Sequence, residues 1–354
     1  MRPLTFLEFA VYSPILVTSP LSLPIMSAIS VLYQPIENEL AQMGALAESV
    51  FSGIDPFVEE VIRYSFRLGG KRLRPAILFL IAKGFGSLSD NHLRVALAVE
   101  LIHTATLIHD DILDDAKTRR HLETLNIRWD AKVGVLAGDW LLTKSLQLIA
   151  DCRDTFALER MTTACQKTVE GELRQMGSAG QLDFSQESYF AMIAGKTAPL
   201  FACAAELGAY LAGAPALSVE QCRLFGHHLG LAFQIVDDIL DLLGQTDIVG
   251  KTLQTDIVNR KLTLPLILYF QKASESDRND FVKAFQNDSI CENMISGLVE
   301  RFRNSSALTA SREVARQHVA EAMRHLTEGS ERNFSADSVQ SLSSLVQFVV
   351  QRVR

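Results

Sequence analysis

Asp-Asp-Ile-Leu-Asp occurs twice, at Asp110–Asp114 and Asp237–Asp241. Each copy places carboxylates at i, i+1 and i+4. On a helix, residues i and i+4 lie one turn apart on the same face. Like charges at that spacing repel and destabilise a helix by roughly 0.2–0.5 kcal/mol per pair. Two identical copies inside apolar segments therefore point to a shared positive ligand. Hard divalent cations prefer oxygen donors, and Mg²⁺ is usually bound by one or two carboxylates plus substrate phosphates. A solvated helix end is the competing reading for a single copy, and the second copy weakens it.

Basic residues flank these carboxylates. Lys117-Thr118-Arg119-Arg120-His121 follows the first motif as a basic turn, and guanidinium groups make bidentate contacts with phosphate oxygens. Leu68-Gly69-Gly70-Lys71-Arg72-Leu73-Arg74-Pro75 forms a second basic cluster. Pro75 is suited to a first helical position, so the cluster is expected at a helix N-terminus, where backbone N–H groups favour an anion. Glu100 to Asp115 contains no Gly or Pro and reads as one helix, with His103, Thr106, Asp110 and Asp114 on one polar stripe. Gln234 lies three residues before Asp237 and faces the same side. Lys196 and Thr197 interrupt another helical stretch, and Lys251 and Lys261 follow the second motif.

The elements that must position these residues are helical almost throughout. From about Ser27 onward, apolar residues recur at helical spacing and alternating runs are scarce. Gly- and Pro-containing stretches mark loops, and none resembles an interdomain linker. The chain has 354 residues, 48% hydrophobic and 21% charged; a single all-α domain spanning 26–354, with ten or more helices, accounts for it. The formal charge of −7 argues against nucleic acid, while metal ions and local basic clusters still allow an anionic substrate. Five cysteines without metal-ligand spacing suit a reduced, cytoplasmic protein. Residues 1–25 are apolar but carry Glu8, Pro14, Pro20 and Pro24, which fits neither a spanning helix nor a signal peptide well. They are expected to be a dispensable extension, with Met26 as an alternative first residue.

Two acidic walls, basic clusters and apolar helix surface between them suggest a substrate with a diphosphate head and a greasy tail. In this ordered set the chain resembles the trans-isoprenyl diphosphate synthases, the polyprenyl synthetase family, from about Tyr33 to the C-terminus. The resemblance implies a bundle of long antiparallel helices around a central cavity, usually a homodimer. It implies Mg²⁺, three ions per site with substrate bound, facing Asp110, Asp111, Asp114, Asp237 and Asp241, with Asp238 supporting. Lys71, Arg74, His103 and Arg120 would bind isopentenyl diphosphate. Arg119, Lys196, Thr197 and Gln234 would contact the allylic diphosphate or its cation, with Lys251 and Lys261 at the mouth.

In this family, bulky aromatics shortly before the first motif stop the product short. Here those positions hold Ala105 and Thr106, which resembles the long-chain enzymes making octaprenyl to decaprenyl products. A shorter-chain farnesyl or geranylgeranyl synthase is the alternative. A non-catalytic subunit of a heteromeric synthase is a remote one, since such subunits lose Asp or basic residues and none is lost here. A class I terpene cyclase is disfavoured by the intact second motif. The resemblance leaves open a transient membrane-surface contact for product release. At Asn259-Arg260, before Lys261, the chain departs from the family, where a glycine is common.

Overall fold

The computed structural model describes residues 31–86, 88–178, 180–243, 255–286, 291–329 and 334–351. The extension 1–25 and Lys251 lie outside the described residues. The fold is all-α. Its helices are α1 (Glu37–Phe51), α2 (Pro56–Leu68), α3 (Leu73–Phe85), α4 (Asp90–Leu113), α5 (Leu125–Arg128), α6 (Ala131–Ala150), α7 (Thr155–Ser178) and α8 (Gln186–Lys196). They continue with α9 (Ala198–Leu211), α10 (Ala216–Leu243), α11 (Thr255–Val258), α12 (Leu264–Phe270), α13 (Glu275–Gln286), α14 (Glu292–Arg303), α15 (Ser306–Gly329) and α16 (Ala336–Gln351). Among the described residues the only sheet is a hairpin of β1 (Thr118–Arg119) and β2 (Leu122–Glu123).

Local chemistry sets many of the helix starts. Asp55 accepts from the N–H groups of Phe57 and Val58, with Pro56 first in α2; Asp130 caps α6 through Val133 N–H at 2.8 Å. Helix α3 begins two residues earlier than Pro75 suggests. Arg72 turns the chain in a left-handed conformation (φ 55°), and Pro75 still falls among the first N–H positions, which have no intrahelical partner anyway. Helix α4 ends two residues earlier than expected. Asp114 is its C-cap and Asp115 is left-handed (φ 48°).

Helices α3, α4 and α9 are buried along most of their lengths, from Arg74 to Ala82, Val95 to Ile102 and Ala198 to Ala209. A helix that is apolar nearly all round belongs at the centre of a bundle. Short connections at 86–89 and 212–215 return the chain antiparallel, so that α3 packs on α4 and α9 on α10. Helix α10 also runs along α15, α6 along α4, and α9 crosses α3. At that last crossing the backbones nearly touch: a Cβ on Gly208 would sit 2.6 Å from the Leu78 carbonyl oxygen.

No single described helix is long and apolar enough to cross a membrane; α8 and α9, bent by 49° at their junction, reach that composition only together.

A histidine cluster joins α10 to α15. His228 and His318 face each other Nδ1 to Nδ1 at 3.1 Å, His325 packs alongside, and Gln221 Oε1 lies 2.7 Å from His325 Nδ1. An N–H···N bond needs one neutral acceptor ring, so the geometry requires unprotonated imidazole. Burial, then the neighbouring histidines, pushes His228 down to about 4, with Glu321 opposing; burial lowers His318 as well. A lowered folded pKa means that the unfolded chain binds more protons, so stability present above about pH 6.5 is lost as pH falls toward 4. The melting temperature is expected to drop between pH 7 and pH 5, and His228→Phe is expected to flatten that drop.

Candidate active site

The first acidic motif lies at the C-terminal end of α4 and the second near the C-terminal end of α10. They meet at one end of the bundle, where two lysines pair with the first motif. Lys196, the last residue of α8, extends Nζ to Glu172 at 2.5 Å, Gln175 at 2.8 Å and Asp110 at 3.8 Å. Burial opposes its charge, but Asp110 and Glu172 outweigh burial and raise its pKa. The approach of α7 that brings Glu172 and Gln175 here requires Gly171, since a Cβ there would lie 2.3 Å from the Lys196 backbone nitrogen. Lys261 Nζ lies 2.8 Å from Asp114 Oδ1.

The break between α8 and α9 turns Thr197 inward. Its hydroxyl donates to Gln234 Oε1 at 2.6 Å, and Gln234 Nε2 donates to Asp238 Oδ1 at 2.8 Å. Tyr189 donates to the other Asp238 oxygen at 2.6 Å. Asp238 is buried, and burial together with the nearby Asp256 carboxylate pushes it well above the ordinary carboxyl range. Asp111 is buried too, and Arg119 grips it with two bonds of 2.7 Å, from Nε and Nη2. The two middle aspartates thus face protein partners, while Asp110 and Asp114 remain partly exposed at the cleft.

The turn that carries Arg119 is the β1–β2 hairpin. Arg120 and His121 are both left-handed (φ 53° and 63°), which folds the chain back on itself. Arg119 then reaches Asp111, and Arg120 donates from Nη1 to the Gly69 carbonyl. This bond joins the two basic clusters that are far apart in sequence. Removing Arg119 leaves Asp111 buried and unpaired, which costs about 3–5 kcal/mol. Arg119→Leu is expected to lower the denaturation midpoint accordingly, as chemical unfolding will show.

Around Gly69-Gly70 lies a basic cluster. Arg72 Nη1 donates to the buried Glu100 carboxylate at 2.8 Å, and Gly70 N–H to the same oxygen at 3.2 Å. Arg74 is buried with its guanidinium 4.3 Å from the Phe201 ring centroid, and its Nε has no hydrogen-bond partner. Burial lowers its pKa to about 10, with Glu100 and Asp237 opposing. His103 lies behind. Burial, then Arg74, Arg120, Arg119 and Arg72, pushes it well below its usual range and keeps it neutral. Several guanidinium groups converging on a neutral imidazole, one with an orphaned buried N–H, form a place for an anion.

Ala105 is buried on α4, and Thr106 turns its hydroxyl back to the His103 carbonyl at 2.8 Å. Glu172, Gln175, Tyr189, Glu100 and Asn259 were not foreseen. Glu172 and Gln175 share α7 and the others stand singly on their helix or turn; the meaning of each arises only from the partner that packing supplies.

A family model for polyprenyl synthetase matches residues 55–302. The chain belongs to the polyprenyl synthetase family. It is a prenyl-transferring enzyme. Among curated relatives it is 33% identical over 314 residues to a short chain isoprenyl diphosphate synthase of Methanothermobacter thermautotrophicus, covering 87% of this chain and 94% of that protein. It is 31% identical over 321 residues to an all-trans-nonaprenyl-diphosphate synthase (geranyl-diphosphate specific) of Rhodobacter capsulatus, covering 90% and 97%. Among solved structures, a polyprenyl synthase from Caulobacter crescentus, complexed with calcium and isoprenyl diphosphate, superposes with a TM-score of 0.86 at 32% identity, covering 92% and 98%. A decaprenyl diphosphate synthase from Rhodobacter capsulatus gives 0.85 at 34% identity, covering 92% and 99%.

Proposed function

We propose that this polyprenyl synthetase condenses isopentenyl diphosphate head-to-tail with an allylic diphosphate, in the presence of Mg²⁺, to make a long-chain all-trans polyprenyl diphosphate of octaprenyl to decaprenyl size. The observation that carries this reading is the pairing of two acidic helix ends with an arginine cluster at the same end of the bundle. One place suits a metal-bound diphosphate and the other a diphosphate held without metal.

The donor chemistry fits Mg²⁺. Hard carboxylate oxygens line both walls, while among the described residues no three acidic, His or Cys side chains converge on one point. Mg²⁺ is usually held by one or two carboxylates, with substrate phosphates among its other ligands. Asp110, Asp114, Asp237 and Asp241 would hold the ions; Asp111, braced by Arg119, and Asp238, braced by Tyr189 and Gln234, would orient the walls. The complex of the Caulobacter crescentus relative with calcium and isoprenyl diphosphate supports this reading. When bound, Mg²⁺ supplies neutralisation of the charge that grows on the departing diphosphate.

Lys196 and Lys261 add positive charge at the same mouth, with Arg119 behind the first wall and Lys251 following the second in sequence. Lys71, Arg74, His103 and Arg120 bind the isopentenyl diphosphate. The Thr197 hydroxyl and Gln234 amide present dipoles to the allylic cation without bonding to it, together with the Lys196 carbonyl. Buried Phe201 and Ala105 help exclude water, which would quench the cation. The released diphosphate serves as the proton acceptor. The small side chains at Ala105 and Thr106 leave a path for a growing chain. A shorter product is the second reading, favoured by the Methanothermobacter thermautotrophicus relative.

A homodimer is supported by exposed apolar side chains on α6 and α7, including Leu136 (67% exposed) and Leu173 (63%). Five free cysteines suit a cytoplasmic setting, and a long apolar product calls for transient membrane-surface contact at release. The test is incorporation of labelled isopentenyl diphosphate into an acid-labile, solvent-extractable product with an allylic primer. Incorporation that requires both primer and Mg²⁺ supports the proposal, and absence of incorporation rejects it.

A further inference from the structure

Each acidic pentapeptide ends in a carboxylate one turn beyond its first, and one short strap touches both of these last carboxylates. The backbone N–H of Asp256 donates to Asp241 Oδ2 at 3.1 Å. Lys261 Nζ lies 2.8 and 3.2 Å from the two Asp114 oxygens, and Asn259 Nδ2 donates to Asp114 Oδ1 at 3.1 Å. The strap closes on itself through Lys261 N–H to the Asp256 carbonyl at 2.7 Å and Arg260 N–H to the Ile257 carbonyl at 3.0 Å.

Arg260, between Asn259 and Lys261, is left-handed (φ 56°), a conformation that glycine adopts more cheaply. Its side chain explains why a large residue stands there. The guanidinium lies 5.4 Å from the Phe285 ring centroid on α13. It also lies against Gly180, where an added Cβ would meet its Nη2 at 3.1 Å. The Arg260 carbonyl accepts from Gly180 N–H at 3.2 Å. Its Nε is buried with no hydrogen-bond partner, so packing between α13 and the α7–α8 connection holds this side chain.

The geometry points to Arg260 as a positioning residue that holds Lys261 on Asp114 as a built-in counter-cation, which metal ions entering the acidic cleft must displace. This rests on the metal reading above. Anchoring the strap keeps an ammonium group where a divalent ion would sit. It thereby weakens uptake of metal in the absence of diphosphate, and the same ammonium is free to turn to a phosphate oxygen once substrate arrives.

The experiment is Mn²⁺ binding to the substrate-free full-length protein, read as free Mn²⁺ by electron paramagnetic resonance. Arg260→Gly keeps the left-handed backbone and removes the anchor. Its Mn²⁺ Kd is expected to fall about 5- to 10-fold below that of the parent. Asn259→Ala removes one donor to Asp114 and is expected to lower Kd about 2-fold. A purely structural role would weaken Mn²⁺ binding instead. Unchanged or weaker binding in folded Arg260→Gly overturns the proposal, and if that variant does not fold, the same outcome in Asn259→Ala overturns it. A parent protein that takes up no Mn²⁺ even when inorganic diphosphate is added overturns the metal reading and the strap's role with it.

Discussion

Asp110→Ala is expected to lower kcat/KM by about 10³-fold or more, on the scale of losing a preorganised electrostatic group at a site of developing charge. Asp110 ends no structural network of its own. Its nearest cation, Lys196, keeps Glu172 at 2.5 Å and Gln175 at 2.8 Å when Asp110 is gone. The fold should therefore survive, and the melting temperature should move by only a few degrees, as expected for a partly exposed residue outside the core. Asp111→Ala makes the informative contrast. Asp111 is buried in a two-bond pair with Arg119, so its loss should lower stability as well as rate, through an uncompensated buried guanidinium. Steady-state kinetics beside thermal melts of the two variants will separate the roles. Equal rate loss and equal destabilisation in both would remove the distinction between outward and inward aspartates.

Ala105→Phe is expected to shorten the product to a few isoprene units while condensation itself continues. Ala105 is buried one residue N-terminal to Thr106, and Thr106 lies one turn (about 5.4 Å) before Asp110 along α4. A phenyl ring at that depth would close the path that a growing chain needs. Overpacking a helix core costs typically about 1–3 kcal/mol, so circular dichroism and total incorporation should accompany the sizing of products. An unchanged product distribution from a folded, active variant would remove Ala105 from the length-determining floor.

Much of the fold was legible because α3, α4, α9 and α10 carry long apolar stretches with few breaks. The acidic motifs were legible because identical like-charged clusters in apolar helices are costly without a ligand. What escaped was pairing across distance. Nothing in Lys117–His121 announces that two consecutive left-handed residues fold Arg119 onto Asp111 and Arg120 onto Gly69. Glu172 and Gln175 look like ordinary surface residues of α7 until Gly171 allows that helix against Lys196. Asn259 and Arg260 read as a departure from the family, and only the strap geometry gives them a function. Helix ends also shifted by two residues at Leu73 and Leu113, because left-handed turns at Arg72 and Asp115 decide them rather than proline or apolar period.

The central claim is that the acidic helix ends and the arginine cluster work together to build a long prenyl chain. The most direct measurement is to incubate the purified protein with labelled isopentenyl diphosphate, an allylic diphosphate primer and Mg²⁺, dephosphorylate the products and size them by reversed-phase chromatography. The expected result is a distribution centred between octaprenyl and decaprenyl that disappears when Mg²⁺ is chelated. Products that stop at farnesyl or geranylgeranyl, or elongation that persists without a divalent ion, would contradict it.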